Sequence, residues 1–161
     1  MADPLSILAS VLTVAGSGLA IAKGLYTLAD GLGSAGESAR IYADEIHAFS
    51  NMLANIREEL SKAPEHSWSP AEHLTKEILD ICKRLLQPAN KLQAKLNPLL
   101  VSYRNSPSKL LQIRIRIRWV FSAEDKLLRY RGSLQALTLV LNTTLRTVNL
   151  RANANSSNTS L

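Results

Sequence analysis

The chain is poor in the residues that most often carry chemistry. It has one cysteine in 161 residues, Cys82, so an internal disulfide is excluded. A lone thiol fits a reducing compartment. With no histidine near it on the same helix face, Cys82 reads as a small buried hydrophobe rather than a nucleophile. The three histidines, His47, His66 and His73, are scattered, and none pairs with Cys or carboxylates at metal-binding spacing. There is no Gly-x-Ser-x-Gly elbow, and Gly16-Ser-Gly18 lacks the preceding strand and third glycine of a nucleotide loop. No metal, no cofactor and no enzymatic activity are expected. Aromatics are only 5% of the residues, which leaves Leu and Ala to build the core. A positive segment before the first apolar run is missing too, with Asp3 standing there. A secretory signal is therefore not expected, and the protein should be cytoplasmic when made.

What is present begins with that apolar run. From Pro4 to Ala22 there is no charged residue. Its length is close to the roughly 20 residues needed to cross a bilayer core. Residues 1–28 read as one apolar helix, either the central core helix of a bundle or a latent membrane segment, since both need the same residues. Gly16, Gly18 and Gly24 weaken it as a helix but let another helix approach closely.

The remainder reads as three more helices. Asp30-Gly-Leu-Gly-Ser-Ala-Gly36 is a turn by composition, and Ser34 with Glu37 matches a capping box. Tyr42, Ile46, Phe49, Leu53, Ile56 and Leu60 alternate in steps of four and three, the stripe of a bundle helix. Residues 62–68 form a loop. Ser69, Pro70 and Glu72 then start a third helix, with Leu74, Ile78, Ile81, Leu85, Leu92, Leu96 and Leu99 on its apolar face and a kink expected near Pro88. Ile113 to Arg118 alternates with period two, yet a lone strand has nothing to pair with, so residues 109–121 are a short helix or an extended lead-in. Ser122 and Asp125 cap a last helix striped by Leu127, Tyr130, Leu134, Leu137, Leu141 and Val148, with Thr144 filling one position. The expected fold is all-α, an up-and-down bundle of four main helices over 1–150 with a kinked third helix. The Asn/Ser/Thr-rich residues 151–161 are expected to be a disordered tail.

Charge is spread unevenly within a net +6. Residues 1–62 hold four Lys/Arg against seven Asp/Glu, whereas residues 109–161 hold nine against two. Arg114, Arg116, Arg118, Lys126, Arg129 and Arg131 are interleaved with Trp119, Phe121 and Tyr130. That mixture suits contact with anionic membrane lipids, because each cation gains about 1 kcal/mol there and Trp prefers the interface. A solvated basic face around a core Trp reads equally well, and nucleic acid is disfavoured for want of a recognition motif.

Met1-Ala-Asp-Pro-Leu-Ser-Ile7 leading into a small-residue apolar helix resembles the amino-terminal domain of many fungal NLR-like receptors of the STAND class. Asp44-Glu-Ile46 with Phe49, Met52 and Leu53 is similar to that family's second helix. Trp119-Val-Phe121 followed by Lys126-Leu-Leu128 is similar to its Trp-led last helix. The resemblance implies a HeLo-like helical bundle, related in design to the four-helix executioner of the mixed-lineage kinase-like pseudokinase and to plant resistosome coiled-coil domains. It implies a signalling or cell-death-inducing effector domain of an innate-immune receptor, a homo-oligomer on activation that moves from the cytoplasm to the membrane. Leu5, Ile7, Leu8, Val11 and Leu12 would belong to the membrane-targeting helix, and Trp119 would be structural. A nucleotide-binding receptor, attached or as partner, is implied as well. A receptor would continue beyond residue 161, so a fragment and a stand-alone member both stay open. The alternative function is a protein–protein interaction or oligomerisation adaptor without membrane activity.

Overall fold

The computed structural model describes residues 4–32, 36–63, 72–105 and 124–159. They form four helices: α1 (Pro4–Leu32), α2 (Gly36–Lys62), α3 (Glu72–Asn105) and α4 (Glu124–Asn158), with no strand among the described residues. The all-α four-helix expectation therefore holds. Helix α1 packs on α2 and α3, and α4 packs on the same two, so the order around the bundle is α1, α2, α4, α3. Helices α1 and α2 are antiparallel. Gly18 faces Ser50, Tyr26 Oη donates to Asp44 Oδ1 at 2.5 Å, and Arg40 Nη2 donates to Asp30 Oδ1 at 2.6 Å.

Each helix inserts a seam spaced alternately four and three residues apart, the spacing that keeps side chains on one face. On α1 the buried seam is Ile7, Val11, Val14, Gly18, Ile21, Leu25 and Leu28, flanked every seven residues by Leu8, Ala15, Ala22 and Ala29. Along α3 it is Ile78, Cys82, Leu85, Ala89, Leu92 and Leu96. Burial pushes the Cys82 thiol up to about 11, as suits a small core side chain. All seven expected α4 positions, Leu127 through Thr144 and Val148, are buried. Four of the six expected α2 positions, Ile46, Leu53, Ile56 and Leu60, are buried. The rest of the seam is Ala39, Ala43 and Ser50, and Tyr42 and Phe49 are only half buried at its edge.

Boundaries differ from the sequence reading at the ends of α1 and α4. Helix α1 continues to Leu32, carrying its helical hydrogen bonds past Asp30. Helix α2 starts at Gly36, where glycine is required: a Cβ would meet the Ala29 backbone, its carbonyl oxygen first and its Cα at 2.9 Å. Residues 151–158, expected to be a disordered tail, continue α4 as helix. Helix propagation adds one hydrogen bond per residue once a long helix exists, which a composition argument about burial overlooks. The hydroxyls of Ser156, Ser157 and Thr159 donate to carbonyls four residues back at 2.7–2.9 Å. Helix α3 runs through Pro88 and Pro98 as one element, with both prolines on its exposed side. The caps expected at Ser34, Ser69, Pro70 and Ser122 and the lead-in at 109–121 lie outside the described residues.

Candidate functional sites

Two surfaces stand apart from an ordinary bundle exterior. The first is the outer face of α1. Leu5, Ala9, Leu12, Gly16 and Leu19 repeat the four-three spacing two positions before the buried seam, about 200° around the helix. Leu5 is 68% exposed and Leu12 48%, while Ala9 and Gly16 also face solvent. A soluble bundle helix ordinarily turns charge outward on this side. Here the first charged residue after Pro4 is Lys23. Helix α1 is therefore apolar on two opposite faces, only one of them covered by α2 and α3. Among the described residues it is the one helix long and apolar enough to cross a membrane, by length and composition.

The five residues expected to target membranes divide between those faces. Ile7, Leu8 and Val11 lie in the core at 1%, 8% and 1% exposure, and Leu5 and Leu12 lie outside. Sequence periodicity carries both seams, but only the packing tells which one the bundle uses.

The interior behind α1 holds an unusual polar layer. Ser50 Oγ and Tyr130 Oη are buried and make no hydrogen bond. Both lie beside Gly18, where an added Cβ would collide with Ser50 Oγ and come within 3.5 Å of Tyr130 Oη. Desolvation drives the Tyr130 phenol well above its ordinary range. A buried hydroxyl left without a partner costs roughly 1–3 kcal/mol. Helix α1 is consequently seated least favourably near its middle. Neither Ser50 nor Gly18 belonged to an expected stripe, because both look neutral in a hydropathy pattern.

The second surface is basic. Lys126 and Arg129 rise from the first turns of α4 beside a cavity of about 310 Å³, which Arg84 and Lys91 of α3 also line. Lys95 of α3 stands beside Lys126, like charge against like charge. Helices α3 and α4 are antiparallel here, so later residues of one meet earlier residues of the other. The neighbouring charge of Lys95, with smaller contributions from desolvation and from Lys91, holds the Lys126 ammonium below its ordinary range. The three α3 cations were missed in sequence. Arg84, Lys91 and Lys95 share one helix face at spacings of seven and four, a pattern that could have been read.

No family model matches the chain, and no curated protein or solved structure matches it either.

The other expected lipid-contact residues fall elsewhere. Arg131 turns toward α2, where its Nη1 donates to Glu45 Oε2 at 2.6 Å and its guanidinium lies 5.8 Å from the Tyr42 ring centre. It ties α4 to α2 and is spent on that contact. Arg114, Arg116, Arg118 and Trp119 lie outside the described residues. Among the described residues no His, Cys, Asp and Glu group could hold a metal ion.

Proposed function

We propose that this chain is a membrane-targeting effector bundle of the HeLo-like kind, a signalling or cell-death domain that works by oligomerising and presenting α1 to an anionic bilayer. The observation that carries this reading is the second apolar face of α1, uncharged from Pro4 to Ala22 and facing solvent at Leu5 and Leu12. At 1.5 Å per residue that stretch is about 28 Å long, against a hydrocarbon core of about 30 Å. The unpartnered Ser50 and Tyr130 hydroxyls beneath Gly18 lower the cost of unseating the helix. Lys126 and Arg129 supply the anionic-lipid contact.

Release cannot be free. Taking α1 out of the bundle would expose its own Ile7, Val11, Ile21, Leu25 and Leu28, together with the faces of α2 and α3 on which they pack. At roughly 1.5–3 kcal/mol for each large aliphatic, this is on the order of 10 kcal/mol, comparable to the stability of a whole domain. Copies of the chain packing together would cover those faces, and for that reason oligomerisation belongs to the mechanism. In this reading the protein is cytoplasmic at rest and a receptor with a nucleotide-binding module, attached or as partner, drives assembly.

The test is dye release from anionic liposomes by the intact chain, Leu12→Glu and Leu8→Glu. Leu12 is half exposed, so Leu12→Glu should keep the bundle's stability within about 0.5 kcal/mol while adding roughly 2.5–3.5 kcal/mol to burial in the bilayer. Dye release should then fall at least tenfold in a folded protein. Leu8→Glu buries a carboxylate in the core and should unfold the bundle as well. A folded Leu12→Glu that releases dye like the parent chain defeats the reading. The adaptor alternative draws on the same face: nothing lies within 4 Å of a Cβ built on Gly16, leaving room for a second helix. It predicts lipid-independent assembly in solution that Leu12→Glu abolishes.

A further inference from the structure

We propose that the cleft between α3 and α4 is a binding site for a compact polyphosphate group, held by Arg84, Lys91 and Lys95 from one wall and Lys126 and Arg129 from the other. Four of these cations line one cavity of about 310 Å³, and among the described residues no carboxylate lines it. That volume sits at the lower end of the about 300–1,000 Å³ common for ligand pockets. The buried Leu85 and Tyr130 line the cavity too, with Gln87, Pro88 and Ser133, and the low-dielectric side chains among them strengthen the attraction of the cations for an anion.

The arrangement gathers like charges. Lys95 and Lys126 stand side by side across the cleft, and Lys91 adds its charge to theirs. None of the five cations takes part in an ion pair among the described residues, whereas Arg40, Lys62 and Arg131 all do. Carboxylates stand on both helices, Asp80 on α3 and Asp125 on α4, yet neither pairs with the cluster. Arg84 Nε makes only a long 3.4 Å bond to the Asp80 backbone carbonyl. A group bearing two or more phosphates answers this geometry, since separate oxygens can reach Lys95 and Lys126 at once. One phosphate donor set could come from a phosphoinositide headgroup or from a soluble polyphosphate. Both present the same chemistry to the cleft. The site deepens the membrane reading at Lys126 and Arg129, but it does not require α1 to move. Loss of dye release with polyphosphate binding intact would sink the membrane reading alone.

The experiment titrates the intact chain with inorganic tripolyphosphate by calorimetry and follows thermal unfolding with and without it. The expected result is saturable one-to-one binding and a raised midpoint. Lys95→Gln/Lys126→Gln should weaken binding at least about tenfold, the size expected for losing charge-assisted hydrogen bonds. The same variant should unfold at a higher temperature than the parent chain when no ligand is present, because it removes the like-charge juxtaposition. Lys76→Gln/Arg146→Gln removes the same charge from exposed positions elsewhere and should leave affinity within about twofold. Equal weakening by both pairs, or a lowered ligand-free midpoint in the cleft variant, overturns the site. Vesicles then separate the sources. Cleft-dependent capture by phosphatidylinositol bisphosphate vesicles, over phosphatidylserine vesicles of equal charge, assigns a lipid headgroup. Tripolyphosphate binding without such capture assigns a soluble ligand, and an oligonucleotide binding more tightly at the same lysines overturns the compact-ligand assignment.

Discussion

Replacing Ser50 by Ala should stabilise this bundle, although it removes a polar side chain and adds no contact. Ser50 Oγ is buried without a hydrogen-bond partner. Deleting it removes a desolvation cost of roughly 1–3 kcal/mol, and Ala is the better helix former by about 0.5 kcal/mol. A net gain of about 1–2 kcal/mol is expected. Gly18→Ala tests the same spot from the other helix. Ala gains about 1 kcal/mol over Gly in a helix, but the new Cβ collides with Ser50 Oγ, and overpacking costs typically about 1–3 kcal/mol. Alone, Gly18→Ala should therefore destabilise by up to about 2 kcal/mol. With Ser50→Ala already in place, the nearest atoms are the residue-50 Cβ at 3.2 Å and Tyr130 Oη at 3.5 Å, and small shifts accommodate the methyl. The double variant should then be the most stable of the four. The readout is urea unfolding followed by far-ultraviolet circular dichroism, arranged as a double-mutant cycle with a coupling of about 1–3 kcal/mol. Additive single effects, or a Ser50→Ala variant less stable than its parent, would refute the reasoning. If dye release needs α1 to unseat, Ser50→Ala should also slow it about fivefold to thirtyfold, the factor equivalent to 1–2 kcal/mol.

Arg131→Gln should destabilise by about 1–2 kcal/mol in urea unfolding. It removes a Glu45 pair whose side chains are 31% and 39% exposed, together with a guanidinium over the Tyr42 ring. The loss should shrink in high salt, and Glu45→Gln/Arg131→Gln should cost less than the two single changes added together. Cys82 should resist a thiol reagent in the native protein at about pH 8 and react once urea unfolds the chain. Its folded value of about 11 lies above the ordinary 9.0, so the unfolded thiol loses its proton first. That contribution to stability is complete below about pH 9 and is lost as pH rises toward about 11. A thiol that reacts at the same rate in both states would place Cys82 outside the core.

Much of the fold was legible because each helix writes its buried face in four-three steps. All seven α4 positions were readable in this way, with Thr144 accepted as a core residue whose hydroxyl donates to the Val140 carbonyl at 2.9 Å. Helix α2 was harder. Tyr42 and Phe49 are large and drew the stripe toward themselves, yet aromatic rings reach the core from a flank, while the small Ala39, Ala43 and Ser50 are fully buried, Ser50 against Gly18 of α1. The basic site was half legible. Lys126 and Arg129 were read from α4, but their counterparts on α3 are more than thirty positions earlier, and only antiparallel packing brings the two sets to one cleft. Arg131 sits two positions beyond Arg129, and that step turns it to another side of the same helix.

By itself the sequence determined the number and type of helices, the core stripe of α4, the Ile78, Leu85, Leu92 and Leu96 positions of α3, and the charge-free length of α1. These are local properties, fixed by periodicity and by the absence of breakers and charges along a single segment. Only the tertiary structure decided which of the two apolar faces of α1 is covered. Both seams have the same spacing, and burial depends on what α2 and α3 present to them. Glycine at 18 and 36 admits the close approach of α1 and α2, and that approach seats Ile7, Leu8 and Val11 inside while leaving Leu5 and Leu12 toward solvent. The same packing brought Lys95 beside Lys126, a juxtaposition of distant positions that no local pattern encodes.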